Sequence, residues 1–271
     1  DQEAFSRILL GSARDLMNEF ELAPETQALI APLAVVGGQA APSTPGTPFN
    51  LLMRPLSLAS VRSGAGYDPR RMPLRGSTGL PVGGMGAIIA AMARSVEESG
   101  GEIRTCTRVE LIRVRKGRAS GVVTTEGEEI EAPLVVSAIN PRTTAELLED
   151  GDAWGPLYGK LKRKQMRGRA FKVVLALDGV PRYAAARSED EAALLAKAQF
   201  RIAPSIDYLE EAHGDMLLGR LSDKPVIWGL CPSMTSPSLA PAGRHVLSMN
   251  IGNAPYHLRE GTWESQRDVL A

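Results

Sequence analysis

The spacing of apolar side chains changes along the chain, and each spacing predicts a different secondary structure. Residues 4–20 place apolar side chains three or four positions apart, which is the period of one helix face. Glycine pairs at 37–38 and 100–101 follow two further apolar segments, as expected at helix C-termini. Apolar spacing, helix-starting prolines and these glycines predict helices over 25–36, 49–61, 87–99, 141–148, 188–198, 206–213 and from about 262 onward.

Shorter apolar segments predict strands. Residues 109–115, 119–125 and 129–132 are joined by short polar turns and predict an antiparallel meander. The apolar run 134–137 predicts a strand buried on both faces, and Asn140 is the expected N-cap of the helix that follows it. Further strands are predicted at 102–105, 171–177, 226–230 and 245–251. The helices and strands together predict an α/β (mixed α+β) fold.

Two segments are too rich in proline or glycine for regular structure. Residues 41–48 contain three prolines, each of which lacks a backbone donor and restricts the residue before it. Residues 63–77 are rich in Gly, Pro and Arg and predict a loop.

Composition and charge limit the classes of protein to which this chain can belong. Lys plus Arg and Asp plus Glu both number 31, so the net charge of zero indicates neither nucleic acid nor an anionic membrane as a bulk electrostatic partner. No apolar run of about 18 residues is present, so no membrane-spanning helix is expected. Cys106 and Cys231 form no C-x-x-C pair and no signal peptide is visible, which predicts the cytoplasm or another reducing intracellular compartment.

The candidate chemistry begins with the glycine turn at residues 83–86. It opens the helix 87–99, and helix N-termini carry free N–H groups that bind phosphate. The turn follows no clear strand and lacks the spacing G-x-G-x-x-G. Close packing, where a side chain does not fit, is therefore the favoured interpretation.

No other group of residues forms a convincing catalytic set. The basic run 160–169 could bind phosphate or lipid headgroups, although a solvated face is the favoured interpretation. His213, His245 and His257 lack metal-ligand spacing, so no metal site is predicted, and His245 is interpreted as structural. The absence of an obvious nucleophile or general base indicates that a cofactor carries the chemistry.

Several segments together resemble the phytoene dehydrogenase-like FAD-dependent oxidoreductases, which are related to phytoene desaturases and amine oxidases. Within that family they resemble the branch of pyridine nucleotide-disulfide oxidoreductase domain-containing protein 2. The resemblance covers nearly the whole chain. Its segments are Leu80–Ala87 with the helix after it, the meander, Val135–Pro141, Ala41–Thr47, Pro237–His245 and Ala254–Tyr256.

The resemblance implies a partial FAD/NAD(P)-binding Rossmann-like unit with the β-meander, plus a substrate domain of sheet and helices. Residues 1–78 would be the helical part of the substrate domain, 79–150 the middle piece of the FAD-binding domain, and 151–271 the sheet-containing part of the substrate domain. The N-terminal dinucleotide fingerprint and the C-terminal flavin segment would both be missing. FAD binding by this chain alone is therefore expected to be weak or absent, and the chain alone is expected to be inactive.

The resemblance also assigns site residues. The backbone at Val109 would meet the adenine of FAD, and Ser137 and Ala138 would close over the adenosine and pyrophosphate. The full set expected to bind the cofactor is Val109, Ser137, Ala138 and Asn140. The set expected to line the substrate cavity is Pro81, Gly83, Gly84 and Met85. Catalytic residues stay unassigned.

The implied activity is hydride transfer from a small apolar substrate, of isoprenoid or carotenoid type, to the flavin. Dehydrogenation and isomerisation both fit. One alternative is a non-catalytic binding module that retains the flavoprotein fold, and another is a cofactor-free hydrolase with Ser, His and Asp in contact. Nucleic acid is not an expected partner. A peripheral membrane contact and a homo-oligomer stay open, and residues 49–61 favour a buried helix over a membrane contact.

Overall fold

The computed structural model describes residues 2–38, 40–52, 80–151, 155–164 and 166–270, the last of these with side chains to residue 267. The chain forms two compact units. The first contains Asp1–Ile89 and Gly168–Ala271, and the second contains Ala90–Arg167. The domain limits expected from the sequence, 78/79 and 150/151, stay predictions.

The described residues form nine α-helices and seven strands. The helices are α1 (Gln2–Leu10), α2 (Ala13–Glu19), α3 (Pro24–Val35), α4 (Met85–Glu98), α5 (Pro141–Glu146), α6 (Pro156–Arg163), α7 (Glu189–Lys197), α8 (Ile206–Leu217) and α9 (Trp263–Leu270). The strands are β1 (Val109–Arg115), β2 (Arg118–Thr124), β3 (Glu129–Glu131), β4 (Ala170–Leu177), β5 (Phe200–Ile202), β6 (Val226–Leu230) and β7 (His245–Gly252). Residues 48–52 are also helical; the rest of the predicted helix 49–61 and the loop 63–77 lie outside the described residues.

The single helix predicted at 4–20 is wrong, because the chain breaks between α1 and α2. Ser12 is the N-cap of α2, and its Oγ accepts a hydrogen bond from the Asp15 backbone N at 3.1 Å. The side chain of Thr47 accepts a second amide, that of Ala13, at 2.9 Å. Side-chain acceptors at Ser12 and Thr47 thus satisfy two amides that begin α2.

The second unit contains the predicted meander, a three-stranded antiparallel sheet in the order β1-β2-β3. Ile112 lies opposite Val122, and Val122 lies opposite Ile130, so apolar side chains align across all three strands. The Ile112 backbone also bonds to the end of α5, with its N 2.6 Å from the Leu147 carbonyl oxygen.

The first unit contains a four-stranded antiparallel sheet in the order β4-β7-β6-β5. Strand β4 pairs with β7 along its whole length, from Ala170 opposite Gly252 to Leu177 opposite His245. Strand β5 was not predicted, because three residues are too few to show alternation.

Two predicted strands are wrong, since neither 102–105 nor 134–137 is a strand. The second was expected to be buried on both faces, yet Leu134 is 74% exposed and Val136 is 82% exposed. No backbone amide of residues 134–139 donates a hydrogen bond to another described residue. A strand buried on both faces needs neighbouring strands, and the described residues supply none here.

The core of the first unit joins α2, α3, α8 and the start of β6. Its buried side chains are Ala13, Met17, Ala31, Ala34, Ile206, Leu209, Ala212 and Val226. Residues 41–47 of the proline-rich segment are irregular, as predicted, and hydrogen bonds hold the segment in place, whereas residue 48 already belongs to the next helical segment. The Ser43 backbone N and Oγ both bond to the Glu210 carboxylate of α8, at 2.8 and 2.9 Å. Among the described helices, none has the length and apolar character needed to cross a bilayer.

Candidate functional site

The glycine turn before α4 is a tight turn that requires glycine. The Gly84 backbone N donates to the Pro81 carbonyl oxygen at 2.9 Å. Gly83 and Gly84 have φ values of +82° and +80°, which lie in the left-handed region. Residues with a Cβ adopt that region at a cost, so glycine fits both positions.

The turn packs against the irregular segment before β7, which contains short 3₁₀ turns at Pro232–Met234 and Pro237–Leu239. The Gly83 backbone N donates to the Ser236 Oγ at 3.3 Å. A Cβ on Gly84 would lie 2.9 Å from the Leu239 Cδ2. The Gly83 amide therefore bonds to a protein side chain, and Gly84 packs against another. Both contacts favour the close-packing interpretation over a phosphate site.

A buried polar group lies in the same segment. The Ser233 Oγ accepts a hydrogen bond from the Val246 backbone N at 3.0 Å and lies 3.1 Å from the His245 Nδ1. The Cys231 Sγ lies 3.5 Å from the same hydroxyl. Ser233 thereby ties the segment to β7, which supports the structural interpretation of His245.

This group also bears on the hydrolase alternative. The structure brings a serine and a histidine within hydrogen-bond distance, but Ser233 is buried. In the part of the chain that the structure describes, no carboxylate pairs with His245, and the neighbouring Asp178 pairs with Arg244. A buried hydroxyl that accepts a backbone amide is poorly placed to attack a substrate.

The second unit holds the residues that the family resemblance assigns to the cofactor. Val109 is the first residue of β1, is half-buried and lies opposite Thr124 of β2. Just before it, the Arg108 carbonyl oxygen accepts the Thr125 backbone N at 2.9 Å. The adenine contact assigned to the Val109 backbone stays a prediction.

Ser137 and Asn140 each bond to the first turn of α5. The Asn140 Oδ1 accepts the Thr143 backbone N at 2.8 Å, so Asn140 is the N-cap, as predicted. The Ser137 Oγ lies 2.6 Å from the Thr144 Oγ1. Ala138 between them is exposed. The Asn140 side chain thus bonds within the helix. The backbone amides of residues 134–139, in contrast, donate to no other described residue.

Helix α4 carries an exposed apolar stripe. Its side chains are spaced three or four residues apart, and each is exposed: Met85, Ile88, Ile89, Met92 and Val96. The helical spacing of Ile88, Ala91, Met92 and Val96, with Ile89 beside them, predicts a buried face. This prediction is wrong for the described residues, since nothing among them buries the stripe. Exposed apolar area of this extent is typical of a surface that another group covers.

Within the described ranges, no three His, Cys, Asp or Glu side chains cluster as metal ligands. The cofactor set lies in the second unit and the glycine turn lies in the first.

The sequence did not predict the contacts of Ser236 and Leu239 with this turn. The proline-rich segment 237–243 indicates an irregular segment, but nothing in it indicates a partner that lies about 150 residues earlier.

A comparison with known families adds the decisive observation. The model of the flavin containing amine oxidoreductase family matches residues 51–267. The chain belongs to this family. The resemblance to phytoene dehydrogenase-like FAD oxidoreductases is thereby confirmed, and a flavin is the cofactor that this flavoprotein family implies.

Individual relatives support the assignment of the chain to the amine oxidoreductase family. Pyridine nucleotide-disulfide oxidoreductase domain-containing protein 2 of Rattus norvegicus is 30% identical over 254 residues, which are 92% of this chain and 42% of the relative. A neurosporene-forming phytoene desaturase of Rhodobacter capsulatus is 29% identical over 164 residues, which are 60% of this chain and 29% of the relative. The chain spans less than half the length of these curated relatives.

Solved structures agree with the fold. An oxidoreductase from Methanosarcina mazei superposes with a TM-score of 0.58 at 17% identity, covering 98% of this chain and 52% of that protein. A protein from Pyrococcus furiosus gives a TM-score of 0.54, also at 17% identity, covering 96% of this chain and 52% of that protein. The mixed α/β fold expected for this flavoprotein family is confirmed.

Proposed function

We propose that this chain is part of an FAD-dependent oxidoreductase that acts on a small apolar substrate, of isoprenoid or carotenoid type. Family membership supports flavin chemistry. The names of the phytoene desaturase relatives support the substrate class. FAD, when bound, supplies the acceptor for the hydride, and the protein binds and orients the two reactants.

The second unit supplies the adenosine end of the FAD site in this proposal. The observation that carries it is the open backbone of residues 134–139, whose amides donate to no other described residue. Exposed amides of this kind can bond to the pyrophosphate and ribose of a nucleotide. Val109 lies at the start of β1 and contributes backbone contact to the adenine. Asn140 contributes to FAD binding indirectly, because its side chain caps α5 and so positions the segment before the helix.

The glycine turn serves the substrate side. Pro81, Gly83, Gly84 and Met85 form a wall, whose rear contacts Ser236 and Leu239. The half-buried Pro81 and the exposed Met85 give this wall an apolar surface. Such a surface suits an apolar substrate, since pockets for small molecules are lined mainly by apolar side chains.

The site is incomplete without further polypeptide in this proposal. Curated relatives are more than twice as long as the chain, since it covers 42% of their length. The exposed stripe of α4 and the unpaired segment 134–139 are the surfaces that additional strands of a nucleotide-binding sheet would cover. We infer that this chain alone binds FAD weakly and does not turn over substrate.

A titration followed by backbone amide NMR tests the half-site. FAD and FMN share the flavin ring, but only FAD carries adenosine. FAD and AMP are expected to shift the amide signals of Val109, Ser137 and Ala138, whereas FMN leaves them unchanged. Equal shifts with FMN, or shifts confined to the glycine turn, would contradict the proposal.

A pair of variants sharpens that titration. Ala138→Glu places a carboxylate beside the expected pyrophosphate and should abolish the shifts caused by FAD, because like charges repel. Ala90→Glu adds the same charge at an exposed position of α4, on the face opposite the apolar stripe, and should leave them intact. The proposal fails if the two variants lose the shifts to the same extent.

A further inference from the structure

Helix α6 concentrates positive charge in a chain whose net charge is zero. Residues 156–177 contain no Asp or Glu. Lys160, Lys162, Arg163 and Lys164 are all exposed, and none of them forms an ion pair with a described residue. Unpaired cations held this closely repel one another, so their clustering has a cost that an anionic partner would remove.

The helix presents these cations outward because its inner side is anchored. The Tyr158 ring lies directly on Gly151, where any Cβ would collide with it. Leu161 is half-buried beside it, and α6 packs against α5. The Lys162 Nζ lies 5.0 Å from the centre of the Tyr158 ring, which holds this ammonium near the helix by a cation–π contact.

The outward side combines charge with an apolar group. Lys160 and Arg163 are three residues apart and share the outer face of the helix. Leu157 lies on the flank of that face and is 51% exposed. A short helix with cations around an exposed apolar side chain is the arrangement that binds at a lipid interface, where the cations meet headgroups and the apolar side chain enters the acyl boundary.

We propose that α6 binds the surface of anionic membranes. The geometry favours lipid over nucleic acid for two reasons. The aromatic ring in the cluster, Tyr158, is half-buried and offers no platform for stacking a base. The exposed Leu157 gains nothing from a phosphate backbone, whereas a bilayer takes up both the leucine and the cations. The inference does not depend on flavin binding.

Cosedimentation with lipid vesicles tests it. The chain should bind vesicles of phosphatidylcholine with phosphatidylserine, should not bind phosphatidylcholine alone, and should be released by salt. Each cation near an anionic surface strengthens binding about five-fold, so the double variant K160Q/R163Q should weaken it about 25-fold. Leu157→Ser should weaken binding a few-fold in a way that salt does not change.

A matched control removes the same charge elsewhere in the second unit. Lys116 and Arg118 are exposed at the turn between β1 and β2, and K116Q/R118Q should change vesicle binding less than about two-fold. Circular dichroism confirms that each variant is folded, and salt release of the unmodified chain is an independent measurement. Equal losses in both double variants, or binding to a single-stranded oligonucleotide in preference to the vesicles, would overturn the proposal.

Discussion

At the scale of single residues, Gly84 connects backbone conformation to a tertiary contact. Its φ of +80° disfavours any residue with a Cβ, and a Cβ there would force the end of the Leu239 side chain, 2.9 Å away, to move. Replacing it should therefore disturb the turn in two ways at once, while a neighbouring glycine in ordinary helical conformation should not.

Gly84→Ala is expected to lower the free energy of unfolding by about 1–3 kcal/mol, because the new Cβ strains the backbone and collides with Leu239. Gly86→Ala is the control, since nothing lies within 4 Å of a Cβ at that position. It should be neutral or stabilising by up to about 1 kcal/mol. Urea unfolding measures both, and equal effects would show that neither the positive φ of Gly84 nor its approach to Leu239 affects stability.

His213 of α8 makes the stability of the first unit depend on pH. The side chain is buried and, within the described residues, its Nδ1 has no hydrogen-bond partner. Burial lowers its pKa, the charge of Arg169 lowers it further, and Glu210 opposes both. The folded chain thus disfavours the imidazolium, whereas the unfolded chain accepts the proton at a pKa of about 6.5.

Unfolding free energy should consequently decline as pH falls below about 6.5, where the unfolded state begins to bind more protons than the folded state. His213→Gln should flatten this part of the profile, although it lowers stability overall. The Arg220 hydrogen bond lowers the pKa of Asp215, so its stabilising contribution is lost only in a more acidic range, below about 4. An unchanged slope near neutral pH in the glutamine variant would refute the role of His213.

At the scale of elements, α2 depends on a side chain from a distant loop. The Thr47 Oγ1 accepts the Ala13 backbone N at 2.9 Å and donates to the Thr44 carbonyl oxygen at 2.7 Å. Thr47 and Ala13 are both buried, so water cannot replace this acceptor. The proline-rich segment 41–48 therefore helps to determine where α2 begins.

Thr47→Val keeps the shape of the side chain and removes the acceptor. It should cost about 1–3 kcal/mol of unfolding free energy, because a buried amide loses its partner. Ser6→Ala removes a hydroxyl bonded within the exposed part of α1 and should cost less than about 0.5 kcal/mol. A thermal or urea melt of each variant decides whether the loop or the local sequence holds α2 in place.

Helices and strands were predictable where neighbouring residues alone determine them. Apolar alternation and polar turns predicted the meander, and Asn140 before Pro141 predicted the start of α5. The break at Gly11 and Ser12 was missed although Ser12 and Asp15 form a recognisable cap, since apolar spacing alone favoured one helix.

Contacts between distant segments were not predictable. Gly83 and Ser236 are about 150 residues apart, and no local pattern indicates that they meet. The run 134–137 has the composition of a strand buried on both faces, but its state depends on neighbouring strands, which composition cannot specify. The site residues could be proposed only through the family resemblance, because the open backbone of residues 134–139 has no signature of its own.

At the scale of the whole molecule, we propose that this chain carries the adenosine end of an FAD site and needs more polypeptide to retain the cofactor. The deciding measurement is the absorbance spectrum of the chain after saturation with FAD and gel filtration. We expect a colourless protein with far less than one flavin per chain. A yellow protein that retains one FAD per chain would contradict this proposal.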